Sequence, residues 1–506
     1  MSKANSYENY VKQSREMATL GSILAHLGWD QQVMLPSQGH AHRQEQMVAL
    51  SSLLHKRGTD PKWGELINNL VQQGEDKFDA HQWCNLKESQ RSFEESTKLP
   101  EEIIVEMTKL SSAGHSLWVE SKQKNHFPTF APILKKFVEI RRKVADILYP
   151  DKHPYDVCID QFERNFNREK IDNIFNQLRT SLVPLTKELQ ANGDAPLPFP
   201  VGNYCINKQR DLNRKISEAV GLDYCKARID ESAHPFSGGG HSTDVRITTR
   251  YEECSFFSSL SSTVHETGHG MYEQGLPVDQ HDGLPVGSSL GLVVHESQSL
   301  LMERMICQGR PFWNAFGDEI RKSFPDLLGE LSNEELYRRS NRVAFGLIRV
   351  DADELTYPLH IILRYEIEKA LFDNEINIDE LPEAWNAKCH ELMGFIPPTD
   401  SQGVLQDAHW ADGCFGYFPM YTLGAMYGAQ FYNTCHQKNP NLETDIANDF
   451  EKNCSVNPEK ILILACYRRL SEYSWKNSIE ITPMLKRVME LHITELEKES
   501  LLKNSI

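Results

Sequence analysis

The sequence predicts a mainly α-helical chain with a small β-sheet beside one motif-bearing helix. Three features predict it: apolar residues recur at helical spacing along most of the 506 residues, strand-type alternation is clear in one stretch, and a His-Glu-x-x-His block lies in a segment with readable helix ends. From the N-terminus, long helices are expected over residues 7–57, 60–90, 91–123, 130–149 and 168–192, broken by short polar or proline-containing turns. Leu99-Pro100-Glu101-Glu102 and Ser332-Asn333-Glu334-Glu335 read as helix openings. The strand is Thr243 to Tyr251, where Val245, Ile247, Thr249 and Tyr251 alternate with Arg246, Thr248 and Arg250, so that one face packs while the other presents cations. No fixed-period repeat or low-complexity linker interrupts the chain. One continuous unit is therefore expected over residues 1–506, with an N-terminal helical region over about 1–200, a site-bearing region over about 201–430 and C-terminal helices over about 431–506.

The block itself is His265-Glu266-Thr267-Gly268-His269. On a helix its two histidines stand on one face, one turn and about 6 Å apart along the axis, so both imidazoles can reach one zinc ion. Glu266 then sits beside the ion without binding it, and can take a proton from water whose pKa zinc lowers from about 15.7 to about 7. Chance alone places such a block in roughly one chain in twenty of this size. The surrounding helix signals argue against chance: Ser258, Ser259, Ser261 and Ser262 offer N-terminal caps, Val264 and Met271 supply apolar faces, and Gly275 followed by Pro277 ends the run.

Two histidines do not hold a zinc, and Glu273, about 12 Å from His265 along the same helix, cannot share an ion with it. The third ligand must come from another element. In the next acidic helix, Leu290 to Leu301, Glu296 shares a face with Val293 and Leu300, where a carboxylate is costly unless a metal or a cation compensates it. An ion pair with an arginine is the alternative for Glu296, and Glu303, one heptad on, is a rival ligand or a partner that orients a histidine.

Composition bounds the remaining possibilities. A net charge of −17 disfavours nucleic acid and anionic membrane as partners. No apolar run is long enough to span a bilayer, and the start MSKANSYENYVKQSREM lacks the apolar core of a signal peptide, so a cytosolic location is expected. The 11 cysteines are scattered and free of CxxC pairs, which reads as reduced thiols, with Cys254, Cys307 and Cys414 near the motifs as small core residues.

Five further blocks accompany the metal motif. The chain carries His234-Pro235-Phe236, Asp244-Val245-Arg246-Ile247-Thr248, Ile348-Arg349-Val350-Asp351-Ala352-Asp353 and Gly416-Tyr417-Phe418-Pro419-Met420-Tyr421, besides Trp29-Asp30-Gln31 with Pro36 and Glu45-Gln46 near its start. With HETGH and the later HESQS, these resemble the M32 family of metallocarboxypeptidases, also called thermostable carboxypeptidase 1 or carboxypeptidase Taq, over about residues 5 to 500. Met420 departs from the family's usual Thr, and the loop Ser237 to Thr243 has no certain alignment; both bear on substrate positioning and neither on the metal set.

The resemblance implies a two-lobed helical zinc peptidase, gluzincin-like and similar to neurolysin, with a deep substrate groove and the small sheet beside the HExxH helix. It implies one zinc ion per subunit, replaceable by cobalt or manganese, and a homodimer. The activity implied is release of single residues from the free C-terminus of peptides with broad preference. Such an enzyme must fix the terminal carboxylate with a cation near the metal. Arg349, in the otherwise apolar run Ala344 to Val350, suits that role, and the resemblance implies the same contact, with Asp351, Asp353 and Glu354 as alternative partners that would make it a brace. Arg246 is a second candidate, equally readable as a brace. The HPF block adds His234 to the substrate set, and the glycine-punctuated aromatic loop from His409 adds His409, Tyr417 and Tyr421 as contacts to the substrate main chain or to the developing oxyanion. By fold analogy, the strand Thr243 to Tyr251 is an edge strand that pairs with extended substrate, or a member of an ordinary hairpin. An oligopeptidase or dipeptidase on the same scaffold and a metal-free helical binding protein are the alternative functions; the intact Glu266 argues against the second.

Overall fold

The computed structural model describes residues 3–192 and 197–452, and the remainder of the expected C-terminal helical region, beyond residue 452, lies outside them. The stretch expected as one helix over 7–57 is two helices, α1 (Lys3–Val33) and α2 (His40–Gly58), because Pro36 lacks an amide donor and disfavours helix at the residue before it. Asp60 caps α3 (Pro61–Val71) by accepting from the Lys62 amide, and an Asp79–Gln82 capping box opens α4 (Ala80–Lys98). The boundary expected between residues 90 and 91 is absent; α4 runs on to Lys98, and Leu99-Pro100 starts α5 (Glu101–Lys124). Helices α6 (Ala131–Leu148), α7 (Pro154–Asp160), α8 (Arg168–Asn192) and α9 (Ile206–Ala219) follow.

The sheet has three strands, β1 (Ala227–Glu231), β2 (Ser237–His241) and β3 (Asp244–Thr249), in the order β1-β3-β2. β3 is the strand expected from alternation, and it is central, not an edge. Its backbone groups are taken on one side by β1, parallel with Ile229 beside Ile247, and on the other by antiparallel β2. Val245, Ile247 and Thr249 are buried as the alternation requires. Thr248, expected on the polar face, is buried too, with its hydroxyl bonded to Ser232 Oγ at 2.7 Å and accepting from the Phe236 amide at 2.9 Å. Gly239 adopts φ +123°, and a Cβ there would stand 2.2 Å from the Asp244 carbonyl oxygen, so this crossing accepts only glycine.

The second half contains α10 (Phe256–Gln274), α11 (Val278–His281) and α12 (Leu292–Leu300), the last prolonged by a π-helical turn, Leu301–Cys307. It continues with α13 (Arg310–Ser323), α14 (Pro325–Leu328), α15 (Asn333–Ser340), α16 (Tyr357–Phe372), α17 (Leu381–Met393), α18 (Pro419–Lys438) and α19 (Leu442–Lys452). The predicted opening at Ser332 is a capping box with Glu335. None of the described helices is long and apolar enough to cross a membrane. Among the described cysteines, Cys254 is exposed, Cys414 half-buried and Cys307 buried, all as free thiols. Cys435 departs from the expectation of thiols throughout, being disulfide-bonded.

Two large apolar cores meet along two helical segments. The first gathers α5 to α8 with α16 to α18, including Leu134, Phe137, Leu178, Leu359 and Leu363. The second gathers α9, β3, α10 and α13, including Ile216, Ile247, Leu260 and Phe312. The α12–π segment and α18 serve both, with Val293, Met305 and Leu423 in the first core and Leu301, Met302 and Phe431 in the second. A smaller core of Tyr10, Ile67 and Leu86 ties α1 to α3 and α4.

Close approach at this seam depends on missing side chains. A Cβ on Gly424 of α18 would lie 2.9 Å from both Cβ and Cγ of Glu296, and one on Gly268 of α10 would lie 2.5 Å from the Gln298 carbonyl oxygen. Gly424→Ala is therefore expected to destabilise the protein by about 1–3 kcal/mol through overpacking, whereas Gly21→Ala on α1, with nothing within 4 Å, stabilises or leaves it unchanged. Denaturant unfolding of the two variants measures the contrast.

Candidate metal centre

Helix α10 begins two residues before the first predicted serine: Ser255 is its cap, accepting from the Ser258 amide at 3.3 Å, and Ser258, Ser259, Ser261 and Ser262 lie within the helix. Phe256, Leu260, Val264 and Met271 anchor it in the second core, which turns His265 and His269 toward α12. The two rings meet edge to face, with centroids 5.0 Å apart. Opposite them stands Glu296, with Oε1 4.0 Å from His265 Nε2 and Oε2 3.5 Å from His269 Nε2. One donor atom from each of the three residues lies within 4.8 Å of the others, a spacing that can hold one metal ion. Glu296 faces these imidazoles, and the arginine considered as its alternative partner is not among its ion pairs.

The second nitrogen of each imidazole is also engaged. His265 Nδ1 lies 2.7 Å from Glu303 Oε2, and Glu303 in turn meets Arg304 Nε at 3.1 Å and the Ser261 hydroxyl at 3.4 Å. Glu303 is thus the partner that orients a histidine. Its position in the π-helical turn, where the chain is wound more widely than in an α-helix, brings it back over α10. His269 Nδ1 lies 2.6 Å from His295 Nδ1, whose other nitrogen is 2.8 Å from Glu273 Oε1. Both Nε2 atoms are left facing Glu296.

Charge tests the fit of a metal here. Burial disfavours charge on His265, but its hydrogen bond to Glu303 and the charges of Glu296, Glu303 and Glu266 outweigh it and push its pKa up to about 9. Burial drives His269 down to about 4, and burial with the neighbouring carboxylates drives Glu266 up to about 7. Glu303, despite burial, is held down at about 2 by Arg304 and His265. Carboxylates therefore outnumber the cations in this pocket, and without a metal a proton on His265 makes up the deficit. Glu266 Oε2 is buried with no hydrogen-bond partner, as a group needs to be if it is to receive one from a ligand. Two imidazoles and a carboxylate in an acid-rich pocket suit a divalent cation.

Arg349 is buried, and its partner is none of the three acids expected. Asp407 receives Nε at 3.1 Å and Nη2 at 2.8 Å, while Nη1 reaches the Tyr357 hydroxyl at 3.3 Å. Asp353 instead accepts from the amides of Leu355 and Thr356 ahead of α16. The guanidinium lies 5.1 Å from the ring centres of both Phe418 and Tyr421. Burial opposes the charge of Asp407, but Arg349 holds its carboxyl below the usual range. Burial first, and the charge of Glu296 besides, raise the pKa values of Tyr357, Tyr417 and Tyr421, so these hydroxyls stay protonated.

His409 sits in the same cluster, its Nε2 3.4 Å from the Tyr421 hydroxyl and its ring 5.3 Å from that of Tyr417. Burial, with the positive charge of Arg349 and Arg364 nearby, lowers its pKa to about 3 and keeps it neutral. His234 is exposed, between β1 and β2. Met420 is fully buried in the first core. Arg246 is not brought to it: its partners are Asp244, at 2.8 and 2.9 Å, and the face of Trp29, at 4.5 Å. His26 joins Asp244 at 2.6 Å, so the group braces α1 against β3. Sequence reading missed Asp407, which carries no local signal, and His295, although it directly precedes Glu296. It tested Glu273 only as a ligand, when its place one turn after His269 already put it on the metal-facing side.

Comparison with known proteins agrees with this geometry. A family profile described as Carboxypeptidase Taq (M32) metallopeptidase matches residues 9–471. Thermostable carboxypeptidase 1 of Thermus thermophilus is 37% identical over 467 residues, covering 88% of this chain and 89% of that protein. Carboxypeptidase 1 of Bacillus subtilis is 36% identical over 418 residues, covering 82% and 83% respectively. The crystal structure of the M32 carboxypeptidase from Deinococcus radiodurans superposes with a TM-score of 0.88 at 31% identity, over 96% of this chain and 99% of that one.

The raised His265 pKa has a consequence for metal uptake. The proton that fills the pocket below about pH 9 must leave when a metal enters, so binding at pH 7.5 is expected to release about one proton, and affinity is expected to fall with falling pH. Calorimetric titration in buffers of different ionisation enthalpy counts that proton. In the metal-free protein the same ion pair stabilises the fold fully below about pH 6.5 and is lost as pH rises through about 9.

Proposed function

The chain belongs to the M32 carboxypeptidase Taq family and is a metallocarboxypeptidase, and on that premise we propose that it releases single residues, with broad preference, from the free C-terminus of peptides. In this reading His265, His269 and Glu296 hold a divalent metal, zinc in the native enzyme with cobalt or manganese able to replace it. A metal bound there polarises the scissile carbonyl and makes a water acidic enough to attack at neutral pH. The observation that carries the proposal is the convergence of both Nε2 atoms on Glu296 beside a buried carboxylate oxygen, Glu266 Oε2, that has no partner of its own.

Glu266 is the general base. Burial raises its pKa to about 7, which poises it to accept the proton of the attacking water on Oε2 and to return it to the departing amine. Arg349 fixes the substrate's terminal carboxylate. Asp407 holds one edge of its guanidinium, while Nη1 meets only the neutral Tyr357 hydroxyl, a partner that an incoming carboxylate can displace. Tyr417, Tyr421 and the neutral His409 are the donors for the developing oxyanion or the substrate main chain, with His234 as a further substrate contact. For Arg246 the observations favour bracing. The groove between the two lobes, the single catalytic unit, the homodimer and the cytosolic location belong to this proposal and rest on the resemblance and the composition.

Two experiments test the reading. Glu266→Gln should lower kcat by about 100- to 10,000-fold on a peptide with a free C-terminus, with the wild type trimming single residues and sparing the amidated twin, as followed by mass spectrometry. Equal internal cleavage of the amidated peptide would make the enzyme an oligopeptidase, and no cleavage of either would leave a binding protein. Arg349→Lys keeps a charge for Asp407 but loses the planar fork, so kcat/KM on the free peptide should fall by about 10- to 100-fold with folding intact. Steady-state kinetics beside thermal unfolding separates the two effects.

A further inference from the structure

We propose that His295 and Glu273 are positioning residues that form a hydrogen-bonded relay behind His269, setting the ring orientation and donor strength of that metal ligand independently of the Glu303 carboxylate behind His265. The inference rests on the metal-binding reading above.

The hydrogen-bond chain leaves one consistent placement of protons. Glu273 Oε1 can only accept from His295 Nε2, at 2.8 Å, so His295 carries its proton on Nε2. His295 Nδ1 lies 2.6 Å from His269 Nδ1, and a His269 that binds a metal through Nε2 carries its own proton on Nδ1 and donates it there. That places the lone pair of His269 on Nε2, the atom facing Glu296. The path leaves α10 at His269, crosses to His295 on α12 and returns to α10 at Glu273, one turn farther along.

His295 is held on every side the argument needs. Its ring meets Tyr272 edge to face at 5.0 Å and lies tilted at 4.7 Å from His269, while the Tyr272 hydroxyl accepts from the Leu290 amide at 3.1 Å, just ahead of α12. The two ligands therefore differ behind the metal: His265 donates directly to a buried carboxylate, whereas His269 donates to an imidazole whose carboxylate, Glu273, is 32% exposed. A direct carboxylate makes its histidine the stronger donor. The relayed one is weaker and more sensitive to the outer carboxylate's charge.

Cobalt reports on this without reference to catalysis. Metal-free full-length protein is titrated with Co(II) against a chelator, and the visible d–d bands are recorded for wild type, His295→Phe, Glu273→Gln and the double variant. His295→Phe keeps a ring and removes the acceptor, and it should weaken cobalt binding about 10- to 100-fold with altered bands. Glu273→Gln should weaken it in the same direction by a smaller factor, and adding it to His295→Phe should change nothing further. Unaltered affinity and bands in His295→Phe would overturn the relay, as would a Glu273→Gln effect that persists at full size without His295. Should His295→Phe fail to fold, Glu273→Gln alone decides: wild-type affinity and bands in that variant overturn the relay. A wild type that takes up no cobalt would overturn the metal centre along with it, which sets that failure apart from failure of the relay alone.

Discussion

The whole site depends on how closely α12 is gripped between α10 and α18. Glu296 reaches the two imidazoles because Gly268 lets α10 ride against the backbone at Gln298, and because Gly424 lets α18 press on the Glu296 side chain itself. Packed cores do not deform continuously, so a methyl group on either glycine acts directly on where the carboxylate lies. The seam also joins the two apolar cores, since α12 and its π-helical extension contribute to both. The placing of Glu296 against the two imidazoles and the packing of both cores therefore rest on the same contacts.

Charge imposes a second order on this seam. Glu266, Glu296 and Glu303 lie together in a poorly solvated pocket, and each buried carboxylate is tolerable only with a compensating proton, cation or donor. Arg304 and His265 answer for Glu303, the imidazoles answer for Glu296, and Glu266 is left to share in whatever enters. The pattern repeats in another buried pair, with Arg349 and Asp407 neutralising each other among aromatic rings. Buried pairs of this kind contribute little net stability, but removing one partner is strongly destabilising, so they hold geometry more than they hold the fold together.

Much of the local structure was legible in the sequence because its causes are local. Proline and glycine ended helices near where they were expected, the Ser332 opening is a capping box, and the alternation from Val245 to Thr249 is a real strand. Two misses were local: calling 7–57 a single helix undervalued Pro36, and placing a boundary at residue 90 overlooked how far α4 continues toward Pro100. The third was not: β3, left open between an edge strand and a member of a hairpin, pairs with β2 as a hairpin would, and residues 227–231 pair along its other side. Pairing partners distant in sequence leave no periodic mark on a strand.

The sequence by itself determined the chemical inventory: the paired histidines one turn apart, the acid between them, an apolar-faced Glu296 on the next helix and a buried arginine in need of an anion. These follow from helical period and from the cost of burying charge, which act over a few residues. Only the tertiary structure decided which acid answers Arg349, that Glu303 and His295 stand behind different histidines, and that Arg246 lies against Trp29 and Asp244 and not in the aromatic cluster. Those choices depend on which helices are brought side by side. Contact across such distances is fixed by close packing of the two cores, and no local pattern in the chain encodes it.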